Sequence, residues 1–223
     1  MGKTLLQMLL FIFPRAFRFR CLKFLYGFEI HPSARIGFSI LGAKSVIINK
    51  NAKVGHLNLI RNVDVLFLDS GARIGSMNWI AGLSISQSKE HYLDNSQRRS
   101  NLTIEENASI TNQHLLDCTD HITIKRFSTV AGYRSQILTH EIDIYKSTQK
   151  SSPVIIGEYS FIGSGVIILA GTKFPSSSVL MAGSLCRISS LDSFSLFGGV
   201  PAKKIKKYED SAKYFFRLNG HVS

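Results

Sequence analysis

The stretch from Val154 to Ser184 repeats every six residues, and nothing else in the chain limits its fold as tightly. Taken in sixes from Ile155 it reads IIGEYS, FIGSGV, IILAGT, KFPSSS, VLMAGS. An apolar residue returns at Ile156, Ile162, Ile168, Phe174 and Leu180. Four places after each comes a small or β-branched residue: Ser160, Val166, Thr172, Ser178 and Ser184. An α-helix turns every 3.6 residues and would smear such a stripe around its cylinder. A plain strand has period two and nothing longer. Period six fits stacked coils of short parallel strands, each hexad making one flat side and one corner of a triangular solenoid. The lead aliphatics then stack inward from coil to coil, and the small residues let the corners close.

The same pulse runs back to Ile30. Leads fall at Ile30 and Ile36, at Ile48, Val54 and Ile60, and at Leu68, Ile74 and Ile80. They resume at Ile104 and Ile110, then Leu116, either Ile122 or Ile124, and Val130. Two polar stretches, 83–101 and 141–153, carry no such period and read as loops thrown out of a corner. Arg98 and Arg99 in the first either touch an anionic ligand or stay solvated. The chain thus divides into an N-terminal cap over 1–29, an all-β solenoid over 30–207 and a tail over 208–223. In that tail Tyr208, Tyr214, Phe215 and Leu218 suit the buried side of a short basic helix.

A chain of 223 residues suits one domain, and 44% hydrophobic with 19% charged residues suits a globular one. The net charge of +12 favours polyanionic partners: nucleic acid, anionic membrane or a phosphorylated cofactor. Nucleic acid fits poorly. The basic residues are split between the N-terminal cap, Arg98–Arg99 and the C-terminal lysines, and form no aromatic-interleaved groove. Cys21, Cys118 and Cys186 have no metal spacing and make no even disulfide set, which suits a reducing cytosol. The apolar run Leu5 to Phe13 is shorter than the ~20 residues a bilayer needs, and no small-residue cleavage site follows it. After Pro14 come Arg15, Arg18, Arg20 and Lys23, interleaved with Phe17, Phe19, Leu22 and Phe24. Two readings fit: a pair of short helices covering the open edge of the first coil, or a basic anchor on an anionic leaflet.

The hexads, taken with "ILTH", "FIGSG", "MAGS" and "GVPAKKIK", resemble the hexapeptide-repeat acyltransferases. The style is that of the sugar and polysaccharide O-acetyltransferases, and the likeness covers roughly Ile30 to Lys207. It implies a left-handed parallel β-helix, usually a homotrimer, with acetyl-CoA lying along the solenoid between subunits. It also implies a cytoplasmic protein, at most peripheral to the inner face of the membrane. Residue by residue, His140 takes the place of the catalytic histidine. A sugar hydroxyl is a weak nucleophile, and a neutral imidazole in reach of its proton is worth ~10²–10⁴ in rate. Ser164 matches a backbone N–H facing the thioester carbonyl. Ala182 matches a second backbone contact to CoA, and Lys203 and Lys206 match basic positions near its phosphates. Asp117 and, more loosely, Asn112 match acceptor-binding positions. His114 stands where a hexad prefers a small residue, so it is either an acceptor contact or a slipped register. Glu141 and Asp143 are the nearest carboxylates in sequence to orient His140. No metal is expected, because His114, His121 and His140 lack the close histidine pair of zinc-dependent solenoid enzymes. The acceptor expected is a sugar hydroxyl of surface polysaccharide or its lipid-linked precursor. N-acetylation of an amino-sugar nucleotide is the nearest alternative, and a non-enzymatic scaffold the next.

Overall fold

The structure, a computed structural model, describes residues 2–87, 91, 92, 95 and 97–220. It is mostly short strands paired in parallel, each on the strand one coil earlier in the chain. Ile36 pairs in register with Val54, Val54 with Ile74, Ile74 with Ile110, and so on through Val130, Ile162, Leu180 and Phe197. A second ladder runs Ile48, Leu68, Ile104, Ile124, Ile156, Phe174. A third runs Leu41, Ile60, Ile80, Leu116, Ile137, Ile168, Cys186. Members of all three ladders are buried and share one core, so the sheet curls round its own lead residues. Of the two candidates in the fourth hexad group, Ile124 takes the ladder position; Ile122 is also buried, paired with Leu102.

Both ends of the stack are covered. At the start, helix α1 (Gly2–Leu9), a 3₁₀ turn (Leu10–Ile12) and helix α2 (Arg15–Tyr26) fold over the first coil. The Gln7 amide donates to Leu41 O at 3.1 Å and accepts from Leu41 N at 2.9 Å, so one side chain pairs both backbone groups of an edge residue. Arg18 donates to Ile36 O, and Leu10, Phe19 and Leu22 join the core. These contacts lay the segment along the open edge of the first coil. At the other end the expected helix is absent among the described residues. Ala202–Lys207 is a strand that turns back antiparallel on Ser195–Gly199, because the last coil presents unpaired N–H and C=O groups that a returning strand satisfies. A single 3₁₀ turn, Lys213–Phe216, comes after it. It buries Phe215 against Phe194 and Tyr208, while Leu218 stays exposed.

The second interruption is also ordered. His140–Asp143 and Thr148–Ser151 form an antiparallel hairpin, His140 opposite Ser151, where sequence suggested only a loop. In the first, Arg98 is buried and donates to Leu83 O at 2.5 Å and to Thr119 O at 2.6 Å. Its guanidinium fastens the loop to the coil rather than facing a ligand.

Candidate active site

His140 begins the hairpin at the corner after Gln136–Leu138. One coil earlier, in register with Leu138, sits Asp117. The stacking brings the two together: His140 Nδ1 lies 2.5 Å from Asp117 Oδ2. Glu141 and Asp143 do not orient the ring. Glu141 pairs with Arg187 at 2.9 Å, and Asp143 with Lys150 at 2.5 Å.

The Asp117 carboxylate is held from several sides. Oδ1 accepts from Thr119 N at 3.0 Å and Thr119 Oγ1 at 2.6 Å. Oδ2 accepts from Thr139 N at 3.1 Å as well as facing His140. Thr139 Oγ1 donates to Asp117 O at 2.7 Å and accepts from Asp120 N at 2.8 Å. With both oxygens so engaged, Asp117 is placed to orient the imidazole, and little of it is left for an acceptor hydroxyl. The imidazole itself is half exposed. With the proton on Nδ1, directed at Asp117, Nε2 keeps its lone pair toward solvent.

Tyr92, unremarked in the sequence, joins this cluster from the first interruption. It is buried, it hydrogen-bonds Thr119, and burial first, then the Asp117 charge, raise its pKa. The Arg98 guanidinium lies 4.9 Å from its ring centroid. No period or motif marked this residue, because an aperiodic loop carries no register.

His114 and Asn112 lie elsewhere and do structural work. His114 is 2% exposed. Its Nδ1 accepts from Ser135 N at 3.1 Å and its Nε2 meets Thr111 Oγ1 at 3.0 Å. It continues a column in which each side chain caps the next coil: Asn58 Oδ1 takes Asn78 N, and Asn78 Oδ1 takes His114 N. Burial drops its pKa to about 4, so the ring is neutral. Asn112 belongs to a neighbouring column. Phe38 N donates to His56 Nδ1, His56 N to Ser76 Oγ, and Ser76 N to Asn112 Oδ1 at 2.7 Å.

That second column ends at Asn112, and further coils lie beyond it. Their corresponding corners carry Gly132, Ser164 and Ala182. Among the described residues, the backbone N–H groups of Ser164 and Ala182 have no acceptor. The two corners touch: Gly183 N donates to Ser164 O at 2.9 Å, and a Cβ on Gly163 would come within 2.6 Å of Ala182 N. Lys203 and Lys206 stand on the returning strand opposite Gly198 and Leu196. His140 and Ser164 are not adjacent within the chain. Ser164 precedes, and His140 follows, the paired strands Ile167–Ile168 and Gln136–Leu138, so a whole flat side separates them, roughly 15 Å of extended chain. Among the described residues no group of three His, Cys, Asp or Glu side chains is placed to hold a metal ion.

Solved structures similar to this chain include acyltransferases. One is the polysialic acid O-acetyltransferase OatWY, with TM-score 0.62 and 18% identity over 84% of this chain and 90% of that one. Another is a point variant of AntD, an N-acyltransferase from Bacillus cereus, in complex with dTDP-4-amino-4,6-dideoxyglucose and coenzyme A. It gives TM-score 0.51 and 19% identity over 77% of this chain and 84% of that one. A looser likeness is to a hexapeptide-repeat-containing acetyltransferase from Vibrio cholerae, with TM-score 0.46, 16% identity, and 94% and 92% coverage. No protein-family model matches the sequence, and no curated protein does. At these identities the likeness to OatWY and AntD establishes a shared fold.

Proposed function

We propose that the chain is a CoA-dependent O-acetyltransferase whose coils close into a left-handed parallel β-helix, and that His140 is its general base. The observation that carries this reading is the His140–Asp117 pair on an exposed corner. A neutral imidazole with Nδ1 directed at a carboxylate offers Nε2 to an incoming hydroxyl. The acceptor oxygen attacks the thioester carbon as its proton passes to Nε2. The carbonyl oxygen becomes an oxyanion, facing the unpaired N–H of Ser164. Collapse breaks the C–S bond, and the imidazolium returns the proton to the departing thiolate. Asp117 stabilises the imidazolium between those two transfers. The unpaired Ala182 N–H, one coil on, suits an amide of the extended pantetheine arm. Lys203 and Lys206 suit the CoA phosphates. Direct transfer in a ternary complex needs no cysteine nucleophile, and Cys118 and Cys186 are buried, with burial raising both thiols.

Because His140 and Ser164 lie at opposite ends of one flat side, a complete site needs a second copy of the chain, which favours a homotrimer with shared sites. The acceptor class we favour is a sugar hydroxyl in polysaccharide synthesis. Transfer to an amino-sugar nucleotide is the second reading, and the fold likeness to AntD supports it. Thiol release from acetyl-CoA against a panel of sugar acceptors, with His140→Ala as control, tests the proposal. An ester product is cleaved by mild alkali and an amide is not, which separates the two acceptors. Thiol release unchanged in His140→Ala would overturn the mechanism.

A further inference from the structure

Two cavities lie on the N-terminal coils, one lined by Gly37 and His56 and the other by the next residues in the chain, Phe38 and Leu57. The first, about 700 Å³, is walled by Arg15, Arg18, Arg35, Lys53 and Arg73, and no carboxylate lines it. The fold itself stacks three of these cations: Arg35 pairs in register with Lys53, and Lys53 with Arg73. Adjacent strands lie ~4.8 Å apart, so like charges placed opposite one another repel. Among the described residues none of the three has an acidic partner. Arg18 is 9% exposed, and its Nε is buried with no hydrogen-bond partner. Burial, and then the charge of Arg15, lower its pKa. A buried guanidinium without a counter-ion is unfavourable, and an anion in this cavity would offset that cost and the repulsion together.

The second cavity, about 730 Å³, is apolar, with Met8, Phe11, Ile12, Phe38, Leu57 and Leu59 in its walls and no charged residue. A row of rings joins the two. The Arg18 guanidinium lies 5.1 Å from the Phe11 ring, Phe11 4.9 Å from Phe38, and Phe38 5.6 Å from His56. His56 lines the basic cavity and Phe38 the apolar one. Ile12, in the wall of the apolar cavity, is 80% exposed, and Phe24 on α2 is 89% exposed. Among the described residues no helix is long and apolar enough to cross a membrane.

We propose that this pair of cavities binds an anionic phospholipid at a membrane surface. Its phosphate lies among Arg15, Arg18, Arg35, Lys53 and Arg73, and its hydrocarbon along the groove between Met8, Phe38 and Leu57. Guanidinium groups match phosphate oxygens in pairs, and exposed apolar side chains beside them enter the headgroup boundary. A soluble phosphate compound would use the first cavity and leave the second bare.

The test is flotation of the full chain with vesicles of phosphatidylcholine alone or mixed with phosphatidylglycerol, beside titration with inorganic pyrophosphate in solution. The expected result is capture by the phosphatidylglycerol vesicles only. Capture should weaken about fivefold in Arg35→Gln and in Lys53→Gln, and should also weaken in Ile12→Ser. The melting temperature of the two charge variants should hold or rise, since each removes one of a stack of like charges. Undiminished capture of the variants overturns the proposal. So does absence from every vesicle, and if pyrophosphate binds in that case the cavity belongs to a soluble phosphate. Neither outcome bears on acetyl transfer, which the thiol-release assay reads separately.

Discussion

At the scale of single residues, two histidines of one coil stack are set apart by what surrounds them. His140 has one nitrogen directed at Asp117, and its side chain is half exposed. His140→Ala should lower kcat by ~10²–10⁴ with KM for acetyl-CoA little changed. Asp117→Asn should approach the same loss, because an amide that donates to Nδ1 leaves the ring's proton on Nε2, where the acceptor's proton must go. Steady-state kinetics on both variants check this, and near-normal kcat in Asp117→Asn would remove Asp117 from the mechanism. His114 serves the fold instead. Its folded pKa is about 4, against ~6.5 in an unfolded chain. Between those values the unfolded chain binds more protons, so stability falls as pH falls. The loss begins near 6.5, runs at up to about 1.4 kcal/mol per pH unit from this group, and levels off below about 4. Burial lowers His121 too, which acts in the same direction. Denaturant unfolding between pH 7 and 5 should therefore show a shallower slope in His114→Gln than in the wild type. Equal slopes would place the acid sensitivity elsewhere.

At the scale of elements, the corner carrying Ser164 depends on a glycine one coil away. Gly132 has φ +70°, and a Cβ there would fall 1.6 Å from Ser164 Oγ. Gly132→Ala adds a left-handed cost of roughly 1–2 kcal/mol to that overlap, so it should lower both the melting temperature and kcat. Ser164→Ala removes the side chain and keeps the N–H, so its kcat should stay within about twofold. Loss of activity in Ser164→Ala would mean that the hydroxyl acts, not the backbone. Legibility in the sequence divides along the same line. The stacked leads could be read because a repeat fixes register, whereas His140, Ser164 and Ala182 stand out only through motifs that resemble those of the acyltransferases. The contact of Asp117 with His140 joins two coils, so it is hidden behind Glu141 and Asp143, the carboxylates nearer along the chain. Asn112 and His114 looked like acceptor contacts because a polar residue at a corner reads alike whether it caps a backbone N–H or faces a ligand. The terminal strand and the 140–151 hairpin escaped for another reason: each is fixed by an edge or partner strand, not by its own period.

At the scale of the whole molecule, the surface of one chain looks unfinished. Met77, Trp79, Leu115 and Tyr133 are 48%, 57%, 40% and 56% exposed. Trp79 and Leu115 pair in register on adjacent coils, so part of this apolar surface forms a continuous strip. A contiguous apolar strip on a globular chain marks an interaction surface. The same chain holds its imidazole and its unpaired Ser164 N–H at opposite ends of one flat side, too far apart for both to lie within ~3 Å of the oxygens of one acyl centre. Association through the strip answers both facts if one copy's His140 then faces another copy's Ser164. Trp79→Glu places a charge in the middle of the strip without touching the core or either half of the site. Sedimentation should find three chains in the wild type and one in the variant, with circular dichroism unchanged and acetyl transfer lost. Full activity in a folded single chain would show that the catalytic halves do not need a neighbour, and the shared site would have to be abandoned.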